Sequence, residues 1–373
     1  MIKRSIEHNI LEDYALNKAI ILLGARQVGK TTLLDKLLAR TKNTLVLNGD
    51  EPDVRELLSN INSVQLKNIF GTAKTIVIDE AQLIPNIGLS LKLITDQIKD
   101  ARLFVSGSSS IELANKINEP LTGRKLEYYI YPISFKEMVN HHGLLQEKRS
   151  LPIRLIYGYY PEIVSSPGQE ITLLKNLAGS YLYKDILSFG EVKKPVILDK
   201  LLKALALQIG NEVSYAELGR TVGADKETIE RYIDLLEKAF IIFRLNAISR
   251  NVRNEIKKGK KIFFYDNGIR NAVIGNFQSF DLRTDKGALW ENFIISERIK
   301  YLNYNRFYGS YYFWRTTQQQ EIDFVEEKDG KFAAYEFKLN PKKKNKFPTT
   351  FTKAYEVDKT MVISPDNIEA FIG

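Results

Sequence analysis

The stretch that decides the fold is residues 20–34, IILLGARQVGKTTLL, in which Gly24, Gly29, Lys30 and Thr31 fill the pattern GxxxxGK[ST] without a mismatch. The apolar run before the pattern predicts a buried strand, and the positions after it predict a helix. The loop therefore lies at a helix N-terminus, where unpaired N–H groups and the helix dipole face an anion. This arrangement predicts a cradle for nucleotide phosphates. A chance glycine turn between a strand and a helix is the alternative.

The loop also supplies the candidate ligands of the nucleotide. Its glycines let the backbone wrap an anion without a Cβ in the way. We expect Lys30 to reach the β- and γ-phosphates of ATP and Thr31 to ligate Mg²⁺. The residues expected to contact the nucleotide are Gly24, Ala25, Arg26, Gln27, Val28, Gly29, Lys30, Thr31 and Thr32.

Composition bounds the remaining possibilities. The chain has 373 residues, of which 44% are hydrophobic, so we expect two or three domains with packed cores. No cysteine occurs, which excludes disulfides, thiolate nucleophiles and cysteine-bound metals. Neither a signal peptide nor a long apolar run is evident, so we expect a cytoplasmic location and no membrane partner. The net charge of +9 is compatible with a polyanionic partner.

A second chemical motif lies at 74–82, KTIVIDEAQ, a hydrophobic strand that ends in Asp79 and Glu80. Strands and helices alternate around it, which predicts a parallel sheet. We expect this strand to lie beside the phosphate loop and to deliver Asp79 to the Mg²⁺ shell. Glu80 is then placed to orient and deprotonate the attacking water. A helix N-cap or a surface pair is the alternative for the two acids.

Five segments, GARQVGKTTLL, IVIDEAQ, VSGSSS, LTGR and YPISFKEM, resemble the AAA-type ATPase domain (AAA+ superfamily) of a broad group of prokaryotic ATP-binding proteins. Members of that group often carry a C-terminal nuclease-like domain. The resemblance implies that Ser106, or else Ser108, senses the γ-phosphate; a serine-rich turn is the alternative. Arg124 is a candidate finger toward a neighbouring subunit's γ-phosphate, or a surface arginine. A finger predicts a homo-oligomer, with a hexameric ring as one arrangement.

The middle of the chain predicts a helical lid at 141–194 and a winged helix at 195–265. Within the second module the sequence predicts three helices and two strands, at 198–209, 215–222, 226–238, 240–245 and 261–265. Such a module contacts DNA or packs against protein.

The charge at the tip of this module favours contact with DNA over packing against protein. Six cations there oppose Glu255 alone: Arg250, Arg253, Lys257, Lys258, Lys260 and Lys261. Clustered cations of this kind suit contacts to phosphates, which dominate non-specific DNA affinity.

The C-terminal segment carries another constellation of charged residues. Glu336 and Lys338 share one face of a strand, and Asp323 lies on the preceding strand of the same hairpin. Two carboxylates and a lysine suit Mg²⁺-assisted phosphodiester cleavage. Together with Glu291 on a helix, these residues resemble the PD-(D/E)XK nuclease superfamily, including its Holliday-junction resolvase branch. The resemblance implies a second Mg²⁺ or Mn²⁺; an inactive DNA-binding relic and surface decoration are the alternatives.

The predicted fold class is therefore α/β. A doubly wound parallel-sheet P-loop ATPase domain (1–140) with its lid (141–194) precedes a winged helix (195–265) and a restriction-endonuclease-like domain (266–373). The expected function is an oligomeric Mg²⁺-dependent ATPase that remodels or translocates on DNA, branched DNA included, with a candidate metal-dependent nuclease at the C-terminus. The rival is a nucleotide-dependent switch in defence or stress signalling, whose C-terminal domains bind a protein partner and do not cut DNA.

Overall fold

A computed structural model describes residues 1–39, 41, 43–107, 117, 120–181, 192–248, 259–340 and 347–373. In this described part, the chain divides into two compact units. The first contains Met1–Ile133 together with Lys238–Phe240, and the second contains Ser134–Ser180, 192–237 and Ile241–Gly373.

A parallel sheet forms the centre of the first unit. Its strands are β1 (Ala19–Leu23), β2 (Thr44–Asn48), β3 (Thr75–Asp79), β4 (Arg102–Gly107) and β5 (Lys125–Tyr129). The order is β2-β3-β4-β1-β5, and every neighbouring pair is parallel. All five residues of β1 are buried, as its branched apolar sequence predicts. The prediction of a parallel α/β sheet is confirmed.

The strand order has one feature that the sequence did not predict. β4 lies between β3, which carries Asp79, and β1, which precedes the phosphate loop. In the register of these pairs Ile78 aligns with Val105, and Leu22 aligns with Ser106. The carboxyl ends of β3, β4 and β1 therefore meet at one edge, so the inserted strand adds Ser106 between the other two.

Helices flank this sheet. In the described part of the first unit they are Ile6–Asp13, Lys30–Leu38, Pro52–Ser59, Ser63–Phe70 and Ile87–Gln97, with short 3₁₀ turns at Tyr14–Leu16 and Ala81–Leu83. Local sequence explains where some of them begin. Asn62 and Gln65 form a capping box at the start of Ser63–Phe70, and Pro52 occupies a first-turn position where its missing N–H costs nothing.

The second unit opens with helices and continues into mixed structure. Its described helices are Phe135–His142, Leu144–Tyr157, Pro161–Ser165, Glu170–Asn176, Pro195–Leu207, Tyr215–Val222, Lys226–Lys238, Asn267–Ile274, Lys286–Tyr304, Thr349–Ala354 and Glu369–Ile372. A π-helical turn spans Leu177–Tyr181, and a 3₁₀ turn spans Phe280–Leu282. The described part of the predicted lid thus belongs almost entirely to this unit. Its role as a lid stays a prediction.

Buried polar contacts explain that grouping. The carboxylate of Asp266 accepts a hydrogen bond from the Tyr159 backbone N–H at 2.7 Å, and Asn271 Nδ2 donates to the Ile156 carbonyl at 2.8 Å. A Cβ at Gly158, whose φ is +72°, would come within 2.0 Å of the same carboxylate. Losing one partner of a buried hydrogen bond leaves the other unsatisfied, which is costly. These helices are therefore tied to the residues that follow 260 in the chain.

Two antiparallel strands, β6 (Ile242–Asn246) and β7 (Lys260–Phe264), follow three helices in the pattern that the sequence predicts. The hydroxyl of Ser214 caps the second of these helices by accepting a hydrogen bond from Glu217 N–H. An additional antiparallel bridge joins Glu212 to Lys261, beside the strand pair. The tip residues 249–258 lie outside the described part of the chain.

A second sheet occupies the C-terminal part of the second unit. It consists of β8 (Ser310–Arg315), β9 (Glu321–Lys328), β10 (Lys331–Phe337) and β11 (Val357–Ile363), in the order β11-β10-β9-β8. β11 runs parallel to β10, whereas the other pairs are antiparallel. The turn between β9 and β10 is Asp329-Gly330, both with positive φ, as the sequence predicts for a tight hairpin.

Candidate functional site

The loop after β1 has the backbone geometry that a phosphate cradle requires. Gly29 has φ +92° at the N-terminal cap of helix Lys30–Leu38, in a region that favours glycine. A Cβ at Gly24 would lie 2.1 Å from the Ile130 carbonyl oxygen, so a larger residue there would displace the loop. Both glycines of the motif are therefore explained by local geometry, and the helix N-terminus faces the loop.

Lys30 lies inside this loop. Its side chain is buried, and Nζ donates to the carbonyl oxygens of Gly24 at 2.8 Å and Ala25 at 2.7 Å. An ammonium that the loop's own carbonyls hold in place is suited to bind phosphate oxygens entering the same loop. The chemistry of the loop therefore fits a nucleotide triphosphate.

Asp79 connects the loop to the neighbouring strand ends. Thr31 Oγ1 donates to Asp79 Oδ2 at 3.4 Å, and Ser106 Oγ donates to Asp79 Oδ1. Mg²⁺ prefers oxygen ligands and is commonly held by one or two carboxylates with substrate phosphates. A hydroxyl and a carboxylate beside a phosphate cradle fit that requirement. The structure brings together the three side chains that were predicted from separate motifs.

Glu80 adopts an unusual backbone conformation directly after Asp79. Its φ of +48° and ψ of +40° lie in the left-handed region, which is uncommon for residues other than glycine and is enriched at functional sites. The Gln82 amide donates to Glu80 Oε2, and Gln82 is itself buried. Sequence reasoning missed this contact. The signal was an amide two residues after the acid pair in DEAQ.

Arg124 lies at the start of β5, away from the strand ends that hold Asp79. Its Nε is 2.8 Å from Asp96 Oδ1, and both side chains are partly exposed. Such an exposed ion pair contributes about 0–1 kcal/mol, so the guanidinium can exchange partners at little cost.

A second cluster of charges lies in the other unit, around Lys261. Its Nζ lies 3.1 Å from Glu291 Oε1 and 2.5 Å from Glu321 Oε1, and the side chain is buried. Asp323 Oδ2 accepts from the Phe337 backbone N–H at 2.7 Å, and Lys338 Nζ lies 3.0 Å from Glu336 Oε2.

Burial and neighbouring charges shift the pKa values of the charged groups in this cluster. Burial raises the pKa of Glu291 to about 7, a shift that the nearby positive charge of Lys261 opposes. Burial likewise raises the pKa of Asp323. For Lys261 burial acts to lower the pKa, but the charges of Glu291 and Glu321 outweigh it and the pKa is raised. The lysine is therefore an ammonium in this cluster at neutral pH.

The predicted DNA-contacting cations are only partly described. Arg250, Arg253, Lys257 and Lys258 lie outside the described residues. Lys260 Nζ is 4.7 Å from the centre of the Tyr215 ring, a cation–π distance. Lys261 needs a correction, because an ammonium that is buried between two carboxylates does not fit an exposed phosphate contact. The cause is its place on β7, which turns its side chain toward Glu291 and Glu321.

Comparison with known families covers most of the chain. Residues 16–139 match the model of an AAA domain. Residues 148–279 and 286–371 each match a domain of unknown function, DUF8612 and DUF4143. The Walker-type ATPase PABY2304 of Pyrococcus abyssi has a similar fold, with a TM-score of 0.50 and 15% identity over 73% of this chain and 96% of its own.

Most of the first unit, residues 16–139, is therefore similar to AAA domains. Two relatives resemble nearly the whole chain. An uncharacterized protein of Haemophilus influenzae is 28% identical over 341 residues, which covers 83% of this chain and 79% of the relative. One of Mycobacterium tuberculosis is 26% identical over 334 residues, covering 87% and 71%. The two units thus occur together in bacterial relatives.

The nuclease-like residues are brought close to one another, but in an unexpected way. The charges of Glu291, Asp323 and Lys338 act on one another's pKa. The sequence analysis missed the roles of Glu321 and Lys261 as partners in the cluster. In the described residues, no group of three or more histidine, aspartate or glutamate side chains is arranged to hold a metal ion.

Among the described helices, none is long and apolar enough to cross a membrane.

Proposed function

We propose that this protein hydrolyses ATP and uses the energy to act on DNA as an oligomer. The observation that carries the hydrolytic part is the meeting of Lys30, Thr31, Asp79 and Ser106 at the carboxyl ends of β1, β3 and β4. Ligands of parallel α/β sheets bind at this edge.

Each side chain has a role that follows from its chemistry. Lys30 binds the β- and γ-phosphates, and Thr31 with Asp79 would hold Mg²⁺. That ion, when bound with ATP, neutralises charge on the phosphoryl oxygens. Glu80 orients the attacking water and accepts its proton, while Gln82 fixes the direction of the Glu80 carboxylate. Ser106 fixes Asp79 through its hydroxyl and lies where it can report on the γ-phosphate.

Arg124 supplies a test of assembly. If it reaches the γ-phosphate of a neighbouring subunit, mixing Arg124→Ala chains with Lys30→Ala chains should restore part of the ATPase activity that each variant lacks alone. The physical reason is that an intact site forms where a wild-type loop faces a wild-type arginine. Phosphate release from the mixture, compared with each variant alone, measures the effect.

The matched control removes the partner of Arg124 and keeps the arginine. Asp96→Ala breaks the same exposed ion pair, so it should retain most of the activity. A mixture no more active than its components counts against a finger supplied between subunits.

Three observations support DNA as the partner. Three helices followed by an antiparallel strand pair, with an extra bridge at Glu212, have the element order of a winged helix. The order helix, three antiparallel strands, helix, parallel strand in 286–363 is that of a restriction-endonuclease-like core. The net charge of +9 favours association with a polyanion.

DNA stimulation of hydrolysis is the decisive test of this proposal. We expect phosphate release in Mg²⁺ to rise severalfold with duplex, single-stranded or branched DNA, and the stimulation to weaken as salt increases, because phosphate contacts release counterions. The same reactions are scored for strand cleavage. Heparin serves as a polyanion control and Lys30→Ala as the baseline without hydrolysis. A rate that stays flat with all three forms of DNA rules out the motor function.

A nucleotide-dependent switch that binds a partner and does not cut is the second candidate. The ion pairs of Lys261 with Glu291 and Glu321 favour it, because they occupy carboxylates that metal-assisted cleavage would need. In that case ATPase activity would respond to a protein partner and not to DNA.

A further inference from the structure

Lys261 joins three separate elements of the second unit. It lies on β7, whereas its partners lie on helix Lys286–Tyr304 and on β9. Its ammonium also sits 5.4 Å from the centre of the Phe313 ring, so both apolar and charged groups surround it. The lysine belongs to the segment that matches one family model, 148–279, and the acids belong to the other, 286–371. One segment thus supplies a cation to the carboxylates of the next.

The strand that carries Lys261 is held tightly in this position. A Cβ at Gly259 would lie 2.8 Å from Glu212 Oε1 and 3.0 Å from the Phe313 ring. On the side of the acids, a Cβ at Gly210 would lie 3.2 Å from Glu291 Oε2. Close packing at Gly259 and at Gly210 leaves little room for the Lys261 ammonium and the Glu291 carboxylate to separate.

The local charges are already nearly balanced. Four carboxylates, Glu291, Glu321, Asp323 and Glu336, face three cations, Lys261, Lys338 and Arg315. A hydrolytic metal site needs carboxylate oxygens that converge on an open position at about 2.0–2.6 Å from the ion. Here Lys261 holds Glu291 and Glu321, and the Phe337 N–H holds Asp323. The residues therefore do not fit the divalent metal that the nuclease-like sequence implies.

We infer that Lys261 is the resident cation of this carboxylate cluster and takes the place of a divalent metal. The C-terminal cluster of the wild-type protein then binds neither Mg²⁺ nor Mn²⁺, and the protein does not cut DNA by metal-assisted cleavage. Neutralising Lys261 converts the cluster into a metal site, because Glu291 and Glu321 lose the cation that they share while Asp323 remains beside them. The inference does not depend on ATP hydrolysis or on DNA binding.

Counting bound Mn²⁺ in the full-length protein tests this inference. Electron paramagnetic resonance titrations without nucleotide should give the same number of bound ions for wild type and Asp323→Asn. Lys261→Gln should bind a single additional ion per chain, and the double variant Lys261→Gln with Asp323→Asn should lose it again. Mn²⁺ should correspondingly raise the thermal unfolding temperature of Lys261→Gln more than that of wild type.

Two controls separate the cation from general effects of mutation. Lys261→Arg keeps a positive charge and should not gain the additional ion. Lys331→Gln makes the same change at an exposed lysine that pairs with Asp358 at 3.5 Å, and it should also gain none. An ion in wild type that Asp323→Asn removes would overturn the inference, and this comparison remains valid even if Lys261→Gln fails to fold. A folded Lys261→Gln that gains no ion would overturn it as well.

Discussion

Lys30→Ala is expected to abolish measurable ATP binding at micromolar nucleotide and, with it, all hydrolysis. The ammonium is the buried cation of the loop and is held by the carbonyls of Gly24 and Ala25. Hydrogen bonds to charged groups are worth about 1.5–3 kcal/mol each, and Lys30 is expected to bind two phosphates. Losing both weakens affinity by about 10²–10⁴-fold. Isothermal titration with ATP and Mg²⁺ measures the change.

The same substitution at an exposed lysine provides the comparison. Lys67 lies on helix Ser63–Phe70 of the same unit and is exposed, so Lys67→Ala should bind ATP like wild type. Thermal unfolding of both variants shows whether the loop merely collapses when its internal ammonium is lost. An affinity in Lys30→Ala close to that of wild type would remove the loop from its assigned role.

Local sequence was sufficient to predict the strand, loop and helix of the candidate nucleotide site. The buried β1 run, the glycines at 24 and 29 and the helix that begins at Lys30 are close in sequence, and each has a local physical cause. Asp79 was also predictable, because a hydrophobic strand that ends in an acid directs the acid to the carboxyl edge of a parallel sheet. The position of β4 was not, since the order of strands depends on crossover connections and not on the strands themselves.

Contacts between distant segments account for what the sequence could not predict. Lys261 looked like one of six similar cations on a basic tip, and nothing near it in sequence distinguishes it from Lys260. Its buried position follows from pairing with Glu291 and Glu321, which lie 30 and 60 residues further along the chain. The segment 141–194 was likewise predicted as a helical lid, while buried hydrogen bonds from its Tyr159 and Ile156 lead to Asp266 and Asn271.

Gly158 is another residue whose role could not be predicted from the sequence. Gly158 lies within the segment Tyr-Gly-Tyr-Tyr-Pro-Glu. In the folded chain it is the residue that admits the Asp266 carboxylate, because any Cβ there would collide with it. The sequence alone does not distinguish a glycine that lets another group approach the backbone closely from a glycine that a turn requires.

Glu80→Gln is expected to leave ATP binding intact and to lower turnover by about 10²–10⁴-fold, the contribution typical of a general base. The two side chains have the same shape, and the new amide oxygen can still accept the hydrogen bond from Gln82. The left-handed backbone at this position is equally strained for both residues. The substitution therefore removes the ability to take a proton from water and little else.

Binding and turnover must be measured separately for this prediction to be decisive. Titration with ATP should give wild-type affinity for Glu80→Gln, whereas single-turnover phosphate release should be slow. Glu51→Gln, at an exposed position before helix Pro52–Ser59, makes the same change in the same unit and should hydrolyse normally. Unchanged turnover in Glu80→Gln would exclude Glu80 as the base. Lost binding would instead indicate that the Glu80 carboxylate is needed to shape the binding site, since the backbone hydrogen bond from Glu80 N–H to Asp79 Oδ1 is the same in both chains.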